Sequence, residues 1–397
     1  MSERFERKAL GRRALIRAAA GTAAAAATSN LMRREASAAA QTGQIRTIAG
    51  VASLSAWPFT GIPGPALKAG LGPYIALAAR LSGTLLVATT QTGARPGHEL
   101  SLIAVWTGTT GSLTPLAGTG TRGWVTERAC TVSAAGPALD FHFVFPAAIA
   151  TEPSGAILVA CVRRPCNGAL IRILPTGAVE LVVGGGPVPA SAGSTAVGAQ
   201  LADPSAVAVD GNNNIYVAEL GAGRVRKIAS SGALTTIAGG SGSDPVKDGS
   251  TPTSGRLLAP AGLAVDSNGT LYISESRGAR VRRLTSTGVI DTIAGTGNPG
   301  GVGDGGPAKA AELRGPHGLA IGASGVVYIA DQGNHRIRAV APDGTISTIA
   351  GSGQVGYSGD AAAARAAALN APTSLALSGT SLYIADEGNR VVREVGV

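Results

Sequence analysis

Apolar residues in this chain fall at every second position or in short unbroken runs, not at the 3.6-residue spacing of an amphipathic helix. Four such stretches follow one another in Ala206–Val209, Ile215–Ala218, Val225–Ile228 and Leu234–Ile237. Between them stand Asp210-Gly-Asn-Asn-Asn214, Leu220-Gly-Ala-Gly223 and Ser230-Ser-Gly232, compositions that tolerate the positive φ of tight turns. The pattern predicts four antiparallel strands joined by short turns. The first stretch is apolar at nearly every position, as a strand covered on both faces must be.

The same unit recurs. Pro204, Pro260, Pro316 and Pro372 open successive copies at steps of 56 residues. Each is followed by an Ile/Leu/Val-Tyr step (Tyr216, Tyr272, Tyr328) or by Leu382-Tyr383, and the first three copies end on Thr-Ile-Ala-Gly at Gly239, Gly295 and Gly351. Two degenerate copies precede them, around Pro73 to Gly118 and Pro146 to Gly184. Repeats of this length signal a solenoid or propeller, and four strands per repeat signal a propeller blade. The last copy stops at Val397 without its fourth strand, while Gly43-Gln-Ile-Arg-Thr-Ile-Ala-Gly50 matches Gly344-Thr-Ile-Ser-Thr-Ile-Ala-Gly351. The expectation is an all-β, six-bladed β-propeller with four-stranded antiparallel blades. An N-terminal strand, 43–50, completes the C-terminal blade and closes the ring, leaving no open edge. The blades fall at about 65–118, 137–184, 199–239, 255–295, 311–351 and 367–397.

Composition adds little to this and contradicts none of it: 58 Gly and 22 Pro in 397 residues suit many short strands and turns. Charge is more informative once divided. Of the net +9, residues 1–40 carry +5, from eight Lys/Arg against three acids. The remainder is only mildly basic and holds no basic stripe interleaved with aromatics, so no nucleic-acid partner is expected. The N-terminal segment itself reads as an export signal: Arg12-Arg13-Ala-Leu15-Ile16, then the small apolar run Ala18–Ala27 and small residues to Ala40. The adjacent arginines followed by Leu15 and Ile16 resemble a twin-arginine signal, with Gly11 where Ser/Thr is usual. The competing reading is a retained basic amphipathic helix. Export implies residues 1–40 cleaved, 41–397 as the mature propeller, and a periplasmic or extracellular location. No apolar run reaches the length that spans a bilayer. A monomer is expected.

With the blades in place, the chain resembles the NHL-repeat family of β-propellers, of the bacterial and teneurin type. Asn334-His335-Arg336-Ile337 is the nearest copy of the signature and Asn389-Arg390-Val391-Val392 a shifted one. The segments Gly303-Asp304-Gly305-Gly306-Pro307 and Gly359-Asp360-Ala361, with Asp248-Gly249 as a weaker copy, resemble the inter-blade linkers of those proteins. The resemblance covers 199–397 well, 43–50 moderately and 51–198 poorly. It implies a fold, and propellers of one fold bind, scaffold or catalyse.

Candidate chemistry is sparse. Glu219/Arg224, Glu275/Arg280 and Asp331/Arg336 stand five apart across the second turn of each repeat and predict cross-strand ion pairs, modest in strength if exposed. Cys161 and Cys166, also five apart, occupy what reads as the same two positions and predict a disulfide in an oxidising compartment; Cys130 is left over. Asp248, Asp304 and Asp360 are expected to cap turns. The residue after each opening proline should face the channel mouth: Tyr74, Ala147, Ser205, Ala261, His317 and Thr373. Zinc lyases and calcium lactonases on related propellers use several inward ligands, and one His with no carboxylate does not supply them, so neither metal nor cofactor is expected. Tyr74, Ser205, His317 and Thr373 are the candidate ligand-binding residues, with a hydrated channel plug as the competing reading. His98, His142 and His335 are scattered elsewhere. Trp57, Trp106, Trp124 and Tyr74 lie in the irregular region 51–198, as a contact surface or as filling between blades. No phosphate loop, nucleophile elbow or dinucleotide fingerprint occurs. The function expected is a binding module for a protein, peptide or glycan ligand; the alternative is a lyase or a lactone/ester hydrolase with its site in the channel.

Overall fold

In the computed structural model, the described residues are 43–397 apart from 51–63, 66, 68, 70, 81–82, 92–99, 108–111, 118–144, 163–167, 190–195 and 241. They form six sheets, each built on four antiparallel strands, arranged as the blades of a propeller, and Val197–Gln200 adds a parallel strand to the second. The export-signal reading, His98, His142, Trp57, Trp124, Cys130 and Cys166 all lie outside the described residues.

Blade three shows the plan. Pro204–Val209, Ile215–Glu219, Arg224–Ile228 and Leu234–Ala238 pair in sequence order from the axis outward. Blades four and five repeat it in Pro260–Ala294 and Pro316–Ala350. Blades one and two use the same order despite their weak sequence likeness. Blade six takes its outer strand from the other end of the chain, where Gln44–Gly50 pairs antiparallel with Val391–Gly396. The predicted closure is therefore present, and it covers Val392 and Val395, both buried.

The innermost strands touch in cyclic order, including the last against the first. They approach so closely that a Cβ on Gly318 would lie 2.3 Å from the Thr373 carbonyl of the next blade. Six apolar clusters fill the spaces between neighbouring blades, among them Val217 with Leu201 and Leu170, and Ile329 with Val281 and Leu313. Burying such side chains is the main favourable term, about 1.5–3 kcal/mol for each large one. Trp106 belongs to this filling: it is buried against Tyr383 of blade six with ring centroids 5.7 Å apart.

Each inner strand from blade two onward starts with a kink. The residue before its proline has positive φ: Phe145 (45°), Asp203 (50°), Ala259 (55°), Gly315 (59°) and Ala371 (50°). For a non-glycine residue this conformation costs on the order of 1–2 kcal/mol, so packing must impose it. The kink turns the chain into the channel and presents the residue after the proline at its mouth.

Candidate functional site: the channel mouth

The six positions expected at the mouth converge. Tyr74, Ala147, Ser205, Ala261, His317 and Thr373 all line one cavity of about 480 Å³ on the axis. Tyr74 stands at its rim, 47% exposed, with its ring edge-on to Phe145 at 5.6 Å. The Ser205 hydroxyl is already engaged, donating to the Pro260 carbonyl at 2.7 Å, so it stitches blade three to blade four. The His317 carbonyl likewise accepts from Ser274 at 2.5 Å. Burial lowers the His317 pKa, only partly offset by a hydrogen bond with the Thr373 main chain, so the ring is neutral near pH 7.

A second set of residues reaches the same cavity and escaped the sequence reading. Val162, Leu220, Gln332 and Glu387 each follow the last residue of a blade's second strand and line the mouth. Glu387 is the chemically notable one. Its Oε2 accepts a 2.6 Å hydrogen bond from Thr373 Oγ1. Burial nevertheless pushes its pKa up to about 7, because a carboxylate loses its hydration there and the single hydroxyl restores little. Numbering from the strand-two acid rather than from the proline would have found this set. Asp203, in the kink of blade three, adds another carboxyl group to the wall. Among the described residues no group of three or more His, Cys, Asp or Glu side chains is placed to hold a metal ion.

The strand-two acids themselves are structural. Glu219, Glu275, Asp331 and Asp386 are fully buried, so the exposure that would make such pairs modest is missing on the acid side. One oxygen of each caps the loop entering its blade, accepting from Ala202, Leu258, Arg314 and Asn370 N–H at 2.6–2.8 Å. The predicted cross-strand partner is present in Arg224 and Arg280, at 2.5 and 2.6 Å. In blade five the partner instead is Asn334, whose Nδ2 donates to Asp331 at 2.8 Å; Asn389 does the same for Asp386 at 2.7 Å. These two asparagines open the signature turns, and His335 Nδ1 accepts the Ala371 N–H at 3.0 Å.

A second arginine, unforeseen, lies two residues further along the third strand. Arg226, Arg282, Arg338 and Arg393 are fully buried within their blades. The linker aspartates reach three of them: Asp248 to Arg282 at 2.9 Å, Asp304 to Arg338 at 2.7 Å, Asp360 to Arg393 at 2.7 Å. Thr292, Thr348 and Thr47 donate to the same carboxylates at 2.9, 2.6 and 3.1 Å. These aspartates are thus ion-pair partners, not simple turn caps. Burial raises the pKa of Asp248 and Asp304, but the threonine and arginine hydrogen bonds and charges outweigh it and hold both below the usual carboxylate range.

The cysteine equivalence does not hold. The register sets Cys161 opposite Ala169, so Ala169 and not Cys166 occupies the position of Arg224. The second turn of blade two is longer by three residues than that of blade three. A Cys161–Cys166 bridge would therefore close within this loop and stays a proposal.

Six blades of four antiparallel strands around a polar-mouthed channel define a β-propeller. The teneurin NHL-domain family model matches residues 297–356. Mouse teneurin-3 is 32% identical over 234 residues, 51% of this chain and 8% of that protein. Human teneurin-4 is 40% identical over 97 residues, 21% of this chain and 3% of that one. The chloroplastic protein SUPPRESSOR OF QUENCHING 1 of Arabidopsis thaliana is 27% identical over 196 residues, 46% of this chain and 18% of that protein. The chain spans less than a fifth of the length of these relatives. Among solved structures, an auxiliary nutrient binding protein from Bacteroides thetaiotaomicron superposes with a TM-score of 0.61 at 14% identity, covering 89% of this chain and 76% of that one. A similarly described protein from Bacteroides ovatus gives 0.59 at 16% identity, covering 89% and 76%. At that identity the likeness is one of fold. The chain is a six-bladed β-propeller that over part of its length is similar to teneurin NHL domains.

Proposed function

We propose that this chain is an exported binding module, acting in the periplasm or outside the cell, that holds a protein, peptide or glycan ligand at the channel mouth. One observation carries the reading: six blades converge on a single cavity of about 480 Å³ with an exposed aromatic ring at its rim and carboxyl groups in its wall. That volume lies within the range of sites that enclose small ligands. Tyr74 offers a flat apolar face, while Glu387, Asp203 and Gln332 offer acceptors. A sugar unit or a short peptide segment, rich in N–H and O–H donors, matches this set. The test is a thermal-shift screen of oligosaccharides and peptides against wild type, Tyr74→Ala and Glu387→Gln. A ligand that stabilises wild type and neither variant supports the reading; a ligand that stabilises all three equally binds elsewhere and overturns it.

The enzymatic alternative has one specific observation in its favour. A carboxyl group whose pKa burial pushes up to about 7, lining the same cavity as a neutral imidazole, is acid–base equipment of the sort a lyase or lactone hydrolase uses. Turnover of a lactone and ester panel, lost on Glu387→Gln, would establish it.

A further inference from the structure

The buried acids among the described residues all find partners inside the fold. The four strand-two acids meet arginine or asparagine. Glu394 is paired with Arg46 and takes the Ser381 hydroxyl, Glu152 is paired with Arg172, and Asp210 accepts from Asn214 and Tyr216. Glu387, in the wall of the axial cavity, is treated differently. Only the Thr373 hydroxyl reaches its carboxyl, on Oε2, and no described cation pairs with it. Its Oε1 accepts nothing from the described residues and opens on the cavity.

The cavity leaves room for that cation to arrive with a ligand. Among the described residues around it there is no lysine or arginine, and the His317 ring is neutral near pH 7. Pro372–Ser378, the inner strand packed against Glu387, carries no charged side chain. Asp203 is the other carboxyl in the wall, but it also borders a recess lined by Arg256 and Arg277. Glu387 is therefore the stronger anchor. Tyr74, exposed at the rim, presents a ring whose negative face attracts cations as well. With one oxygen already held by Thr373, Glu387 suits a compact ammonium better than a guanidinium, which pairs best with both oxygens. Burial keeps the empty carboxyl partly protonated near pH 7, and an arriving ammonium would release that proton to solvent.

We propose that the ligand held at the channel mouth carries a primary ammonium group, which donates to Glu387 Oε1 within reach of the Tyr74 ring; this rests on the binding reading above and narrows it. The ammonium could come from a peptide or from an amine-bearing sugar, so both are probed. Acetyl-Gly-Lys-Gly-amide and aminoethyl glucoside, each beside its N-acetylated form, are titrated calorimetrically at low salt into wild type and Glu387→Gln. At pH 7 at least one amine should bind wild type about tenfold tighter than its acetylated form, and Glu387→Gln should abolish the difference. The tighter of the two identifies the source. Both amines stay charged from pH 6 to 8, so the affinity of the one that binds should rise about tenfold over that range as Glu387 ionises, and stay level in Glu387→Gln. Equal binding of amine and acetylated forms overturns this inference and leaves the mouth a binding site. A preference that survives Glu387→Gln, or no binding by any of the four probes, also overturns it. The binding reading itself falls only on the wider ligand screen described above.

Discussion

Blades one and two have no fully buried arginine in their third strands, where blade two has only the partly exposed Arg172 paired to Glu152, whereas blades four to six bury one in theirs. Ala104 and Ile171 stand where Arg282, Arg338 and Arg393 stand, each opposite the middle of its second strand. The acid position changes with it. Thr89 takes the place of Glu219 in blade one, and its hydroxyl still caps the incoming loop, accepting the Gly72 N–H at 2.8 Å. In blade two that place is Cys161. The two solutions do the same work: one fills the blade with apolar volume, the other ties blade, loop and linker together through a buried ion network. The network is costly unless complete, because each member is removed from water. In blades four to six acid, arginine and linker aspartate come together, whereas blade three has the first two and no acid in the sequence of the linker before it.

Removing residues 43–50 strikes the comparison hardest. It strips blade six of its outer strand and deprives Asp360 of Thr47, so the truncated protein should lose its cooperative melt or melt more than about 15 °C lower, by calorimetry. Next comes Arg338→Met. It leaves Asp331 buried without its guanidinium and should cost about 3–5 kcal/mol in urea unfolding, while Arg226→Met at the equivalent site should cost nothing.

The third test concerns pH. Unfolded, the Glu387 carboxyl ionises near its ordinary value; folded, it keeps its proton up to about 7. The folded state therefore holds the extra proton between those two values. The stability this contributes is full below the ordinary value and is lost as pH rises through about 7. Melting curves from pH 4 to 8 should show a decline that is smaller by about 1–2 kcal/mol in Glu387→Gln after allowing for solvent screening, the remainder coming from Asp331 and Asp386, whose carboxyls burial pushes up to about 6. The smallest effect separates two threonines. Thr348→Val removes a hydrogen bond to Asp304 and should cost about 1 kcal/mol, and Thr236→Val, at the equivalent place in blade three, close to none.

Period-two patterning, the repeating Pro…Thr-Ile-Ala-Gly frame and the stray strand at 43–50 were enough to derive six blades and their closure, because strand alternation and repeat length are local properties of the chain. The mouth positions were legible for the same reason: one residue after a repeated proline must point one way in every blade. The chemistry at the mouth was not. Glu387 follows a turn whose length varies between blades, and its altered acidity comes from burial by residues more than ten positions distant in sequence. The linker aspartates read as turn caps because their arginine partners lie 33–34 residues away, in the blade that follows. Cys166 read as the partner position of Cys161 because equal spacing hides a longer turn. Spacing along the chain records which way a residue faces within its own sheet; which charge it meets, and whether water reaches the pair, is settled only when the ring closes and neighbouring blades pack.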